Sequence, residues 1–333
     1  MRTVGPPTLL TAQRFATASA SLRRDSETAR IELSTGRLAD LPAALGGRIG
    51  EASSLRAALD AIAVRRQGLQ QADLVAAASQ RALSAIDEGA RPLATDALAA
   101  NGRGDNAALA TAALEARSRV EAAFSNLNIK VAGQFLFSGD ATDRPPLAGA
   151  DALIADVEAI YAGAADAAAL DAALDFYFDD PAGGFQTTIY RGGAGLAPSI
   201  EIAGGERGAF TARADDPSIR DVLRGLAVIA AAGAAPPSAL RDGALSSAGA
   251  VSLDGTDGLI ARRTDIGVEE RRAAEALTGL DDEEAALTEA YNAATARDPL
   301  DAATRLQALE AQLNASLVAT SRLSQLTLAN FLR

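Results

Sequence analysis

The stretch EASSLRAALDAIAVRRQGLQQADLVAAASQRALSAIDE, residues 51–88, decides the architecture. Leu55, Ile62, Leu69, Ala76 and Leu83 recur at seven-residue steps, and Ala58, Ala72 and Ile86 sit three residues beyond that seam. A heptad held this long specifies a rod-like helix with one apolar edge, and nearly 40 residues at ~1.5 Å each extend roughly 60 Å. Gly102 and Gly104 mark a turn, after which Ala113, Val120 and Leu127 hold a second seam over about 105–132, with Ala116, Ala123 and Lys130 beside it. Two such rods joined by a short turn form an antiparallel helical hairpin.

Outward from the hairpin, Phe15, Ala18, Leu22, Ala29 and Leu33 form a weaker stripe over a helix from about Thr8 to Thr35, stopped by Gly36. The following RLADLPAALGGRIG, rich in Gly and Pro, reads as a non-helical connection. On the far side, heptads resume near Arg262, with Ala273, Leu280, Leu287 and Ala294 in one position and Leu277 and Tyr291 in the other. Asp298-Pro299 interrupts and restarts the helix as an N-cap followed by a first-turn proline. The last helix carries Leu306, Leu309, Leu313, Leu317, Leu328 and Phe331 on one face, with Leu332 beside them.

The middle is of another kind. Short helices are predicted at 151–162 and 166–178, strands at QFLFSG, TTIYRG, SIEIA and AFTARA with GGERG as a hairpin turn, a helix capped by Asp216 and Pro217, and a loop-rich stretch from Pro236 to about Gly258. The predicted fold is therefore mainly α: a long antiparallel rod bundle built from both chain termini, with an inserted α/β outer domain containing a β-hairpin. Its parts are 1–40 with 298–333 as a terminal coiled-coil assembly domain, 41–147 with 259–297 as the helical rod, and 148–258 as the outer domain.

Composition narrows the function. The chain has 333 residues, no Cys, no His, no Trp and a formal charge of −12. Without His or Cys the commonest metal ligands and the usual neutral-pH general base are missing, and the acidity argues against nucleic acid. No apolar run approaches the ~20 residues that span a bilayer. MRTVGPPTLLTAQRF carries Pro6 and Pro7 where a cleaved secretory signal needs an unbroken apolar region. DDEEAALTE (281–289) reads as a solvated helix face, RGGAGLAP (191–198) and GGRIG (46–50) as turns, and SLDGTDG (252–258) as a loop. No catalytic or metal site is expected, and no cofactor. For the last helix alone, burial of its leucines does not offset the entropy of fixing its backbone. The terminal helices are expected to order against other subunits or a chaperone.

With the elements placed, ELSTGRLADLPAALGGRIGEASSLRAAL (32–59) resembles the bacterial flagellin superfamily, in which a Leu-Ser-x-Gly-basic motif, here Leu33, Ser34, Gly36 and Arg37, precedes the long second helix. LEAQLNASLVATSRLSQLTLANFLR is similar to the family's C-terminal helix. NLNIKVAGQFLFSGDATDRPPL (126–147) resembles the hook-associated protein 3 branch, the hook–filament junction proteins, through Phe135, Phe137, Ser138, Gly139, Pro145 and Pro146. The loop at 38–50 departs from flagellins in lacking their tandem acidic pair.

The resemblance implies a non-enzymatic adaptor in the extracellular flagellum, exported by the flagellar type III route without a cleaved signal. It implies terminal helices that order on polymerisation, with Phe15, Leu22 and Leu33 on the N-terminal helix and the C-terminal leucine face making assembly and chaperone contacts. The implied partners are further copies in a ring or helix, the preceding hook-associated protein, flagellin and an export chaperone, with no membrane insertion. The rival readings are a flagellin filament subunit and a soluble helical binding rod.

Overall fold

The computed structural model describes residues 9–46, 49–195, 199–203 and 205–331. In chain order the elements are α1 (Leu9–Thr35), α2 (Leu41–Leu45), α3 (Ile49–Arg103), α4 (Asn106–Leu127), β1 (Lys130–Val131), β2 (Gln134–Phe135), α5 (Ala150–Gly163), α6 (Ala167–Asp179), β3 (Ile200–Ala203), β4 (Glu206–Gly208), α7 (Pro217–Ala232), α8 (Ala239–Thr295) and α9 (Pro299–Phe331). The fold is mainly α, with long helices and two small antiparallel hairpins. The described chain divides into two compact units: residues 1–63 with 281–333, and residues 64–280. Helices α3 and α8 contribute to both.

In the larger unit the seven-step seam of α3 is its core edge: Leu69, Ala76 and Leu83 are all almost wholly buried; Ile62, on the same seam but in the smaller unit, is buried too. The seam does not stop at Glu88 as the sequence suggests. Ala90 and Ala97 continue the same step, and the helix runs through Pro92 to Arg103. Packing of Leu93, Ala94 and Ala100 in the same interior outweighs the hydrogen bond that the proline removes. Gly104, at φ +67°, closes the turn, and Asp105 caps α4 by accepting from the Ala108 amide at 3.1 Å. A Cβ on Gly89 would meet Arg119 Cδ at 3.2 Å; the two residues are equally far along the chain from Gly104, so α3 and α4 form the expected antiparallel hairpin. Lys130 leaves the α4 seam, which ends at Leu127, and lies exposed in β1.

Helix α8 packs antiparallel on α3. Asn101 donates to the Asp242 carbonyl at 2.9 Å, Arg91 pairs with Asp257 at 2.7 Å, and Gln80 donates to the Arg263 carbonyl at 2.7 Å. This corrects two expectations, because residues 239–258, including SLDGTDG, are helix and not loop. The glycines there remove side chains where another helix passes. A Cβ on Gly255 would lie 2.7 Å from the Val222 amide nitrogen, and one on Gly258 2.6 Å from Ser218 Cβ. Gly225 of α7 likewise lies against the Ala248 carbonyl, at 2.6 Å from an added Cβ. Helix α7 begins as expected, with Asp216 accepting from the Ser218 amide at 3.1 Å and Pro217 following it.

The remaining differences concern strands and the 38–50 connection. TTIYRG is not a strand: Phe185–Ile189 forms one π-helical turn, with Thr187 and Thr188 hydroxyls donating to the carbonyls of Gly183 and Gly184, and Tyr190 makes an isolated bridge to Leu147. The hairpin pairs Ile200–Ala203 with Glu206–Gly208, so GGERG supplies strand β4 as well as the turn. AFTARA belongs to neither hairpin. LPAAL in the 38–50 connection is a short helix capped by the Asp40 carboxylate.

Candidate assembly surface

In the smaller unit α1 and α9 pair along their lengths, antiparallel. Ser19 Oγ lies 3.0 Å from Ser316 Oγ, and Arg30 pairs with Glu310 at 3.5 Å. The seam is built largely of small side chains, with Ala29 and Ala302 fully buried. Leu306, Leu309 and Leu313 are half-buried on the stripe of α9 that leads to Ser316, and Leu22 is half-buried on α1. Alanines and serines let the two backbones approach, yet they cover little of what flanks them.

The apolar residues outside that stripe stay open. Phe15 is 40% exposed, Leu33 38% and Leu317 43%. Ile31, Val318 and Leu300 are also exposed, and none of them lies on the predicted stripes. Leu300 and Val318 stand about five whole turns apart, so they share one side of α9; that recurrence was the available signal. Leu332 lies outside the described residues; Leu328 and Phe331 belong to α9 but their side chains lie outside the description. The Leu33-Ser34-x-Gly36-Arg37 motif ends α1. Ser34 donates to the Ile31 carbonyl at 3.0 Å, Gly36 takes φ +68°, and Arg37 donates to Asn292 Oδ1 at 2.5 Å.

The second motif, in the larger unit, is a knot more than a strand. Only Gln134 and Phe135 pair in β2, with the Lys130 ammonium 5.2 Å from the centre of the half-buried Phe135 ring. Phe137 and Ser138 are fully buried, and the Ser138 hydroxyl donates to the Phe135 carbonyl at 2.9 Å. Gly139 then turns at φ +62° into a space where a Cβ would sit 2.7 Å from the carbonyl oxygens of both Gly193 and Gly195. The 191–195 glycine loop closes on it: the Gly193 amide donates to the Ser138 carbonyl at 2.8 Å and the Gly195 amide to Asp140 Oδ1 at 3.1 Å. From the other side the Ala214 amide donates to the Phe137 carbonyl at 2.8 Å. Pro145 is exposed and Pro146 buried, its carbonyl accepting from the Arg191 amide at 2.8 Å. RGGAGLAP is thus a turn, as far as residue 195, and what it wraps is the motif.

Arg213 and Asp215 form a close ion pair beside the knot, and Tyr190 donates to the Gly193 carbonyl at 2.8 Å. Burial, with Asp215 adding to it, pushes the Tyr190 phenol up to about 12. An unfolded tyrosine titrates near ~10. The folded state therefore holds this proton to higher pH than the unfolded state, so the contribution to stability is complete below ~10 and is lost as pH rises through 12. In Tyr190→Phe, the fall of unfolding free energy between pH 10 and 12, measured by urea titration, is expected to be shallower than in the parent. Equal slopes would mean that this phenol is not held back in the fold.

Among the described residues no three acidic side chains come together as metal ligands, and no helix is long and apolar enough to cross a membrane. The chain matches no protein-family model and no curated protein sequence. Among solved structures it is similar to one described as "Structure of putative flagellar hook-associated protein from Vibrio parahaemolyticus", at 13% identity and a TM-score of 0.54. The match covers 74% of this chain and 97% of that one. The chain shares the fold of that structure. A likeness across nearly the whole of that neighbour, at so low an identity, lies in the arrangement of long helices and not in shared side chains.

Proposed function

We propose that this protein is a structural subunit of the bacterial flagellum, an adaptor joining the hook-associated region to the flagellin filament. The supporting observation is a flagellar-protein fold in which the paired segments α1 and α9 leave Phe15, Leu33 and Leu317 exposed beside a thin alanine-and-serine seam. Such side chains lose water contact only against another molecule. Residues 1–40 with 298–333 form the assembly layer of this reading, 41–147 with 259–297 the rod, and 148–258 the outer part. Head-to-tail stacking of non-identical faces gives rings or tubes, one end meeting the preceding hook-associated protein and the other meeting flagellin. Before assembly the C-terminal helix is the segment an export chaperone would cover. In this reading the function is mechanical, with no catalysis or cofactor, and export follows the flagellar type III route.

Within this fold the 126–147 resemblance favours the junction over the filament. Deleting the gene in its source strain is expected to leave hooks without filaments and abundant flagellin in the medium. Loss of flagellin from the medium as well would identify the chain as the filament subunit.

A further inference from the structure

Both terminal arms of the smaller unit are interrupted, and the interruptions coincide. Helix α1 stops at Thr35 and Gly36, and α8 stops at Thr295 before α9 starts at Pro299. Between them the Leu38 amide donates to the Thr295 carbonyl at 2.9 Å, and the Arg297 amide donates to the Gly36 carbonyl at 2.9 Å. Arg37 and Ala296 are thereby an antiparallel pair flanked by hydrogen bonds without exchanging any, the type whose Cα atoms lie closest.

One carboxylate spans this ladder. Glu32 is only 3% exposed; its Oε1 accepts from the Ala39 amide at 3.3 Å, in the first break, and its Oε2 faces Arg297 Nε at 3.6 Å, in the second. Among the described residues, neither Oε2 nor Arg297 Nε has a hydrogen-bond partner. A buried charge so placed is strongly favourable only while its counter-charge stays beside it.

We propose that the Gly36–Leu38 and Thr295–Arg297 breaks form a single clasp, latched by Glu32, which makes the two terminal helices swing as one element about one hinge. Two breaks joined by two backbone hydrogen bonds and a shared carboxylate open together, because the bonds that close one also close the other. Separate linkers would open with separate frequencies. The consequence for any packing of the α1–α9 pair is that its two helices keep their mutual register while their angle changes.

Amide hydrogen exchange on the full chain tests this. In Glu32→Gln the Leu38 and Arg297 amides are expected to exchange about tenfold faster or more, by the same factor for both, while the Ala214 amide of the larger unit is unchanged. Different factors, or acceleration of Leu38 alone, would overturn the single clasp. Because the chain has no cysteine, Arg37→Cys with Ala296→Cys supplies a second, independent reading: that pair spacing suits a disulfide. Oxidation is expected to slow both amides together relative to the reduced form, even if Glu32→Gln proves too unstable to use. A cross-link that slows one amide and not the other would overturn the proposal.

Discussion

Gly139→Val is expected to be among the most destabilising single substitutions in the larger unit, costing about 2–6 kcal/mol. Two terms set that figure. The residue sits at φ +62°, where a non-glycine residue costs about 1–3 kcal/mol. In addition, the new Cβ would stand 2.7 Å from two backbone carbonyl oxygens, Gly193 and Gly195. Backbone cannot rotate away as a flexible side chain does. The 191–195 loop must therefore move, which breaks its hydrogen bonds to Ser138 and Asp140 and adds an overpacking term of about 1–3 kcal/mol. Gly104→Val is the matched control in the same unit: its φ is +67°, but among the described residues nothing lies within 4 Å of an added Cβ, so only the conformational term applies. Urea unfolding of both variants separates the effects. Equal losses would mean that the glycine loop does not close on Gly139.

The comparison of these two glycines also shows where the sequence could and could not be read. Gly104 does what a glycine between heptad runs announces: it ends one rod and starts another. Gly225, Gly249, Gly255 and Gly258 do the opposite, since they sit inside long helices and mark a neighbour's approach, Gly249 against Leu98 and Gly255 against α7. Locally both kinds look alike, so residues 239–258 read as loop although they are helix. Composition misled at TTIYRG in the same way. Its β-branched residues fit a strand, but Phe185 and Ile189 are drawn into the interior and the threonine hydroxyls fold back onto Gly183 and Gly184. The α3 seam was legible because its signal is periodic and long; even Pro92 does not interrupt it.

The candidate surface was legible as a face and not as a set of side chains. Leu306, Leu309 and Leu313 fall on the predicted stripe, and the structure places them half-buried on the side of α9 that pairs with α1. Which of Ser316 and Leu317 turns inward is one step of the helix, about 100° of rotation, and nothing in the sequence fixes it. Ser316 meets Ser19, so Leu317 faces away. An apolar residue just off the seam contributes nothing to the pair that a serine would not, and its value lies in what it meets outside.

That separation gives the second large effect. The double variant Leu317→Ser, Val318→Ser is expected to leave the thermal midpoint of the isolated chain almost unchanged, because both side chains are 43–52% exposed and surface substitutions usually stay within about 0.5 kcal/mol each. In the assembled state the exposed half of each would be buried, a contribution of roughly 0.7–1.5 kcal/mol per side chain. Losing both weakens each subunit contact roughly 10–100-fold, and incorporation into hooks of the deletion strain is expected to fail. Leu309→Ser should behave in the reverse manner, lowering the midpoint of the isolated chain because its side chain is partly enclosed beside α1. If instead the double variant melts early and still assembles, this side of α9 is interior in the free chain, and the assembly surface must be sought elsewhere. Measuring both variants in both assays makes that outcome decisive, since a general loss of stability would lower the midpoint in each and could not produce the opposed pattern.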